Sequence, residues 1–294
     1  VLPPQPMDLT LTITAFNHQS LVGILPVTPA DGAYITLGDM TIVDGNNNIP
    51  EYGETVTVHF ALNNMGNDNA ENVLISLTVD SPYINVINNQ DQVSVIEAHG
   101  LGNTVDGFNL QIANNVPDQY VAALELHIVT AAAEEFTYTR NLIVNAPHLE
   151  FGQVTIDDVL GNNNQALDPG EMVTIHFPII NSGHANTFDL SSFMVVSDVF
   201  HVADPLDVEF SSLDVGEEVI MSYSVIFSSQ LPQGTIVNIT TMVMSGQYSS
   251  AKTYSLSLGQ VQETFENGLN QFPWVFTNGD WTPEAGSSYN GSMA

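Results

Sequence analysis

One stretch of this sequence occurs twice, and the second occurrence limits what the chain can fold into. LGDMTIVDGNNNIPEYGETVTVHFALNNMGN (37–67) returns as FGQVTIDDVLGNNNQALDPGEMVTIHFPIINSGH (151–184). Asp44 matches Asp158 at an offset of 114, and Glu54 matches Glu171 at 117, so the second copy holds three more residues in its loop. His59-Phe60 then matches His176-Phe177, Asn64-Met65-Gly66 matches Asn181-Ser182-Gly183, and Val116-Pro117-Asp118 matches Leu231-Pro232-Gln233. Conserved order at a fixed period marks two copies of one folding unit.

Within a copy the apolar period is two. Thr55-Val56-Thr57-Val58-His59-Phe60 alternates, as do 73–79 (VLISLTV) and 123–129 (ALELHIV). Asn, Asp, Gly and Pro clusters separate such runs, and no segment carries a helical apolar stripe. The spacing predicts an all-β chain of tandem immunoglobulin-like β-sandwich domains, about seven strands per ~100 residues. The expected division is a terminal hairpin of a preceding sandwich (1–35), sandwich 1 (36–147), sandwich 2 (148–259) and a truncated adhesin- or jelly-roll-like β domain (260–294). Partial β-domains thus flank both ends. The hairpin is expected around Asn17-His18-Gln19-Ser20, and the whole chain reads as an internal or processed piece.

Charge excludes several functions. Asp and Glu total 33 in 294 residues, an ordinary content, whereas Lys and Arg total 2, Arg140 and Lys252. The net charge of -31 therefore comes from missing cations. Phosphate binding needs clustered Lys and Arg, so nucleic acid is excluded as a partner, and anionic membrane surfaces with it. No apolar run approaches the ~18 residues of a membrane helix. Divalent cations are the partners that such a chain attracts. Two basic residues also leave trypsin-like proteases almost no sites. With no cysteine, disulfides, thiolate metal sites and cysteine nucleophiles are absent.

The repeated loops carry the candidate chemistry. DGNNNIPEYGE (44–54) and DVLGNNNQALDPGE (158–171) place short oxygen-bearing side chains at close intervals. Calcium takes six to eight oxygens at about 2.3–2.6 Å, and such loops converge them. The expected ligands are Asp44, Asn46, Asn48, Glu51 and Glu54, and in the second copy Asp158, Asn162, Asn164, Asp168 and Glu171. Neither spacing nor flanking structure is that of an EF-hand. The same residues also serve ordinary turns; recurrence of both acids across the length change favours the ion. His59 and His176 occupy equivalent strand positions and read as structural. No G-x-S-x-G elbow, phosphate-binding glycine loop or marked carboxylate pair points to catalysis. Trp274 and Trp281 fit either a core or a sugar-stacking surface. Asn238-Ile239-Thr240 and Asn290-Gly291-Ser292 match the glycosylation sequon only weakly.

The D-x-N-x-N loop closing in G-E, the following strand, N-x-G, and the later ETFENGL with FPW are similar to the region downstream of the peptidase domain in gingipain-type cysteine peptidases. Related arrays occur in other surface proteins that Bacteroidetes export by type IX secretion. The resemblance implies an extracellular or cell-surface location. It transfers no catalytic residue, since that peptidase needs a cysteine. The expectation is a non-catalytic spacer or adhesion segment, possible partners being surface glycans or proteins. Alternatives are a filament subunit self-associating by strand exchange, and a carbohydrate-binding or accessory region of a gingipain-like peptidase.

Overall fold

The computed structural model describes residues 7–259 apart from 18, 28–30, 165, 196–197 and 205–206. The expected third domain (260–294), with Trp274 and Trp281, lies outside the described residues. Twenty strands follow in order: β1 (Met7–Ile13), β2 (Leu21–Val27), β3 (Ile35–Val43), β4 (Thr55–Asn64), β5 (Ala70–Val79), β6 (Ile84–Val86), β7 (Gln90–Ile96), β8 (Leu101–Asn103), β9 (Phe108–Ile112), β10 (Tyr120–Val129), β11 (Glu135–Val144), β12 (Leu149–Phe151), β13 (Thr155–Asp157), β14 (Met172–Asn181), β15 (Thr187–Met194), β16 (Phe200–Asp204), β17 (Asp207–Leu213), β18 (Glu218–Phe227), β19 (Ile236–Ser245) and β20 (Tyr248–Ser257). No helix occurs among the described residues, and none is long and apolar enough to cross a membrane.

The chain divides into two compact units. The first runs to His148 and takes in Ser182–Asn186; the second comprises Leu149–Asn181 and the chain from Thr187 onward. The first unit has one sheet ordered β3-β4-β9-β6, with β8 also on β4, and another ordered β11-β10-β5-β7. The second has β12-β14-β18-β16, with β13 also on β14, and β17-β15-β19-β20. All pairings between these strands are antiparallel. Each unit thus has a five-stranded and a four-stranded antiparallel sheet, the two-sheet build of an immunoglobulin-like sandwich. One departure occurs in both units. After the first central strand (β5, β15) the chain visits the edge of the opposite sheet (β6, β16) before returning to its own (β7, β17).

Alternation becomes burial directly. In β4 and β14 every second residue is buried, so Val56, Val58, Phe60 and Leu62 match Val173, Ile175, Phe177 and Ile179 as core side chains. Phe60 packs on Phe108 at 5.9 Å between ring centroids, and Phe177 on Tyr223 at 6.1 Å. The buried Tyr223 hydroxyl donates to Ser192 at 2.8 Å, which meets the cost of placing a polar atom there.

The repeated N-x-G has a structural reason. Asn64 and Asn181 are both fully buried. The Asn64 side-chain amide donates to the carbonyls of Asp68 (2.8 Å) and Ile96 (3.1 Å), while its oxygen accepts from the N–H groups of Tyr34 and Gly66, each at 3.0 Å. Asn181 donates to Leu213, which pairs with Thr187 as Ile96 pairs with Ala70. The glycine follows from close approach. A Cβ on Gly66 would overlap the Gly32 carbonyl, and one on Gly183 would overlap the His148 N–H.

Ahead of the first sandwich, β1 and β2 form a two-stranded antiparallel sheet running from Ile13↔Leu21 to Met7↔Val27.

Candidate functional site

Strand register fixes how the two acidic loops correspond. Thr41, Ile42 and Val43 pair with His59, Val58 and Thr57; Thr155, Ile156 and Asp157 pair with His176, Ile175 and Thr174. Asp44 and Asp158 are thus the first residues past equivalent strands. At the far end each loop closes through the same turn, Glu51-Tyr52-Gly53-Glu54 or Asp168-Pro169-Gly170-Glu171. Gly53 (φ 76°) and Gly170 (φ 82°) supply the left-handed third position of a type II turn, and Pro169 suits its second. The last glutamate folds back on the turn: Glu51 N–H donates to Glu54 Oε2 (3.1 Å), and Asp168 N–H to Glu171 Oε2 (3.2 Å).

In the first loop, Asp44 Oδ1 accepts from the N–H groups of Asn46 (2.8 Å) and Asn48 (3.0 Å), an Asx-type turn. The Asn46 side-chain amide donates to Glu54 Oε1 at 2.7 Å. Asn47, outside the expected ligand set, accepts from Ile49 N–H (2.8 Å) and donates to Glu51 Oε1 (3.4 Å). Asp44, Asn46, Glu51 and Glu54 are therefore joined, whereas Asn48 contributes its backbone. Asp44 Oδ2 is buried without a hydrogen-bond partner.

The second loop solves the same closure differently. Asn162 and Asn164 both donate their side-chain amides to Asp168 Oδ2 at 2.7 Å, and Asn162 N–H donates to Glu171 Oε1 at 2.6 Å. Asp158 is 1% exposed, and its carbonyl accepts from Gly161 N–H at 2.7 Å. Asp157 Oδ1 accepts from Val159 N–H at 2.9 Å, an Asx-type turn of its own. Asp157 was legible only through the strand register, because the matched motif begins one residue later.

Electrostatics separates the loops further. Burial and then the nearby Glu54 carboxylate push Glu51 above the ordinary glutamate range, and the Asp44 charge adds to this. Burial opposes ionisation of Asp44 too, but backbone donors led by Asn46 outweigh it and hold Asp44 below its usual range. The signs are opposite. Ionised Asp44 supports folding above the ordinary aspartate range, and that support fades as pH falls through its lowered value. Glu51 destabilises the fold as pH rises from the ordinary glutamate range through its raised value. Glu51→Gln is therefore expected to raise the melting temperature at pH 7 in chelator and to leave it nearly unchanged at pH 4, as scanning calorimetry would show.

Among the described residues no three Asp, Glu or His side chains group as a metal site. An ion in the first loop would need amide and carbonyl oxygens beside Asp44, Glu51 and Glu54. The two equivalent strand histidines meet neighbouring hydroxyls: His59 Nδ1 lies 3.5 Å from Thr104 Oγ1, and His176 Nδ1 lies 2.7 Å from Ser222 Oγ. His184 Nδ1 meets Asp118 Oδ2 at 2.7 Å, but Asp118 Oδ1 also accepts from Ala146 and His184 N–H, so this carboxylate anchors backbone.

Each turn is also stitched to the chain leaving its sandwich. Asn145 N–H donates to Pro50 (2.9 Å) and Tyr52 N–H to Asn145 (3.0 Å); Gly259 N–H donates to Leu167 (2.5 Å). Parallel bridges Glu51↔Asn145 and Leu167↔Leu258 mark the same contact.

No protein-family model and no curated protein matches the chain. Matches among solved structures include red sea bream transglutaminase, at 12% identity over 77% of this chain and 31% of that one, with a TM-score of 0.31. They also include a Salmonella alpha-2-macroglobulin, at 13% identity over 82% of this chain and 17% of that one, TM-score 0.29. The chain thus spans under a third of either neighbour's length. Likeness at this level says nothing of activity, and the all-β, two-sheet build rests on the strands themselves.

Proposed function

We propose that this chain is a non-catalytic spacer segment of a larger extracellular bacterial protein, of the kind that follows the peptidase domain in gingipain-type enzymes, and that calcium stiffens its first acidic loop. The observation carrying this reading is that both acidic turns are hydrogen-bonded to the residues where the chain leaves each sandwich. A turn held rigid there holds the exit direction, which is what a spacer requires. In the first loop the crowded Glu51 and Glu54 charges and the unpartnered Asp44 oxygen favour a cation. In the second, two asparagine amides converge on the single oxygen Asp168 Oδ2.

The test is scanning calorimetry of the full chain in calcium and in chelator. Calcium at about a hundred times its Kd adds about 2.7 kcal/mol to the unit that binds it. The expected result is a rise in one transition, lost in Asp44→Asn with Glu54→Gln. No response to calcium would remove the ion from the reading. Light scattering on the eluting chain separates spacer from filament, since a spacer stays monomeric. One observation favours the filament reading: β1 and β2 expose Leu11, Ile13, Leu21, Val22 and Ile24, and two-stranded sheets are marginal alone and pair readily.

A further inference from the structure

The first and last strands of each unit are linked side by side and run the same way. In the first unit β3 and β11 are edge strands of different sheets, and the links between their segments ascend together in both. Glu134 Oε1 accepts from Ala33 N–H at 2.9 Å. The Tyr34 and Phe136 rings meet edge to face at 5.5 Å, and Tyr138 Oη donates to the Ile35 carbonyl at 2.6 Å. Beyond β3 the Asn145 backbone bonds to Pro50 and Tyr52, and the Glu51↔Asn145 bridge is itself parallel. The second unit repeats the pattern. Tyr254 Oη donates to the Gly152 carbonyl at 3.0 Å, and the parallel bridge Leu167↔Leu258 follows, with Gly259 N–H on the Leu167 carbonyl.

Parallel first and last strands put the entry of the chain at one end of a sandwich and its exit at the other. The ten residues of β11 set these points roughly 30 Å apart along the strand axis. Tension along the chain therefore slides β3 and β11 past each other and does not lift one from the other. In sliding, every link carries load at once; in lifting, each breaks alone and in turn. From this geometry we infer that each unit is a load-bearing module, built to stay folded while the chain is pulled from both ends. Resistance to force is set by the unfolding rate and not by equilibrium stability. A chain without cysteine has no disulfide to carry load, so these non-covalent links must.

Single-molecule force spectroscopy of the full chain tests this, in chelator so that the result does not depend on calcium. With no native cysteine, pairs of cysteines introduced at exposed positions serve as handles. Asp31→Cys with His148→Cys loads the first unit from entry to exit. Asp31→Cys with Ala132→Cys pulls the neighbouring ends of β3 and β11 apart. The expected result is a markedly higher rupture force for the first pair than for the second. Adding Tyr138→Phe to the first pair removes one loaded bond and should make unfolding at constant force about fivefold faster. Equal rupture forces in the two directions would overturn the inference. So would a Tyr138→Phe chain that unfolds under load at its parent's rate.

Discussion

Replacing Asn64 with leucine is expected to lower the stability of the first unit by about 3 kcal/mol or more, since buried groups deprived of partners cost roughly 1–3 kcal/mol each. Leucine fits the volume but strands the N–H groups of Tyr34 and Gly66 and the carbonyls of Asp68 and Ile96, which now meet around a fully buried side chain. For a domain near a hundred residues that lowers the melting temperature by more than about 10 °C. Scanning calorimetry of the full chain should show one transition moving and the other fixed. Asn64→Asp separates the two halves of the network. It keeps the acceptor toward Tyr34 and Gly66 but sets an oxygen against two carbonyls, so its cost should grow as pH rises and the carboxylate ionises. A fully stable Asn64→Leu protein would mean that the buried amide is dispensable.

Phe177→Ala is the counterpart in the second unit, with an expected loss of about 3–5 kcal/mol. Its ring is fully buried, packs 5.3 Å from Tyr254 and 6.1 Å from Tyr223, and lies in the cluster formed by β14, β18, β19 and β20. No neighbour can fill the space cheaply. Tyr223 is held by its hydrogen bond to Ser192, and Ile175 and Ile179 flank Phe177 on the same strand face. Urea unfolding should show the second transition shifted to lower denaturant. A loss below about 1 kcal/mol would show that this core repacks, contrary to the density expected of protein interiors.

Much of this was legible in the residues. Period-two runs such as Thr55–Phe60 place alternate side chains inside because a strand has only two faces. The repeat then doubled the evidence, since the same core positions recur at Phe60 and Phe177. The order in which β6 and β7, or β16 and β17, visit the two sheets was not legible, because alternation reports which face is buried and not which strand lies alongside. The N-x-G motif was visible, but not the burial of its asparagine: Asn is usually a turn residue, and only the third dimension brings Ile96 and Asp68 within reach. The acidic loops fall between β3 and β4 and between β13 and β14, and the register places Asp44 and Asp158 at equivalent points. Their differing hydrogen bonds were hidden, because three more residues in the second loop change which amides reach Asp168 and Glu171. Arg140 donates to the carbonyls of Leu37 and Gly38, and Lys252 to those of Phe151 and Gly152, an equivalence hidden in the sequence because TYTRN and SAKTY share too little to align.

Each of the two units buries a hydrophobic core of its own. Hydrogen exchange of the full chain in increasing urea, followed by mass spectrometry of fragments, tests it most directly. Contiguous cooperative units lose protection together. Two blocks are expected to open at different urea concentrations, with the change falling near His148. A single block spanning β4 and β14, losing protection at one concentration, even when Asn64→Leu weakens only the first unit, would contradict it.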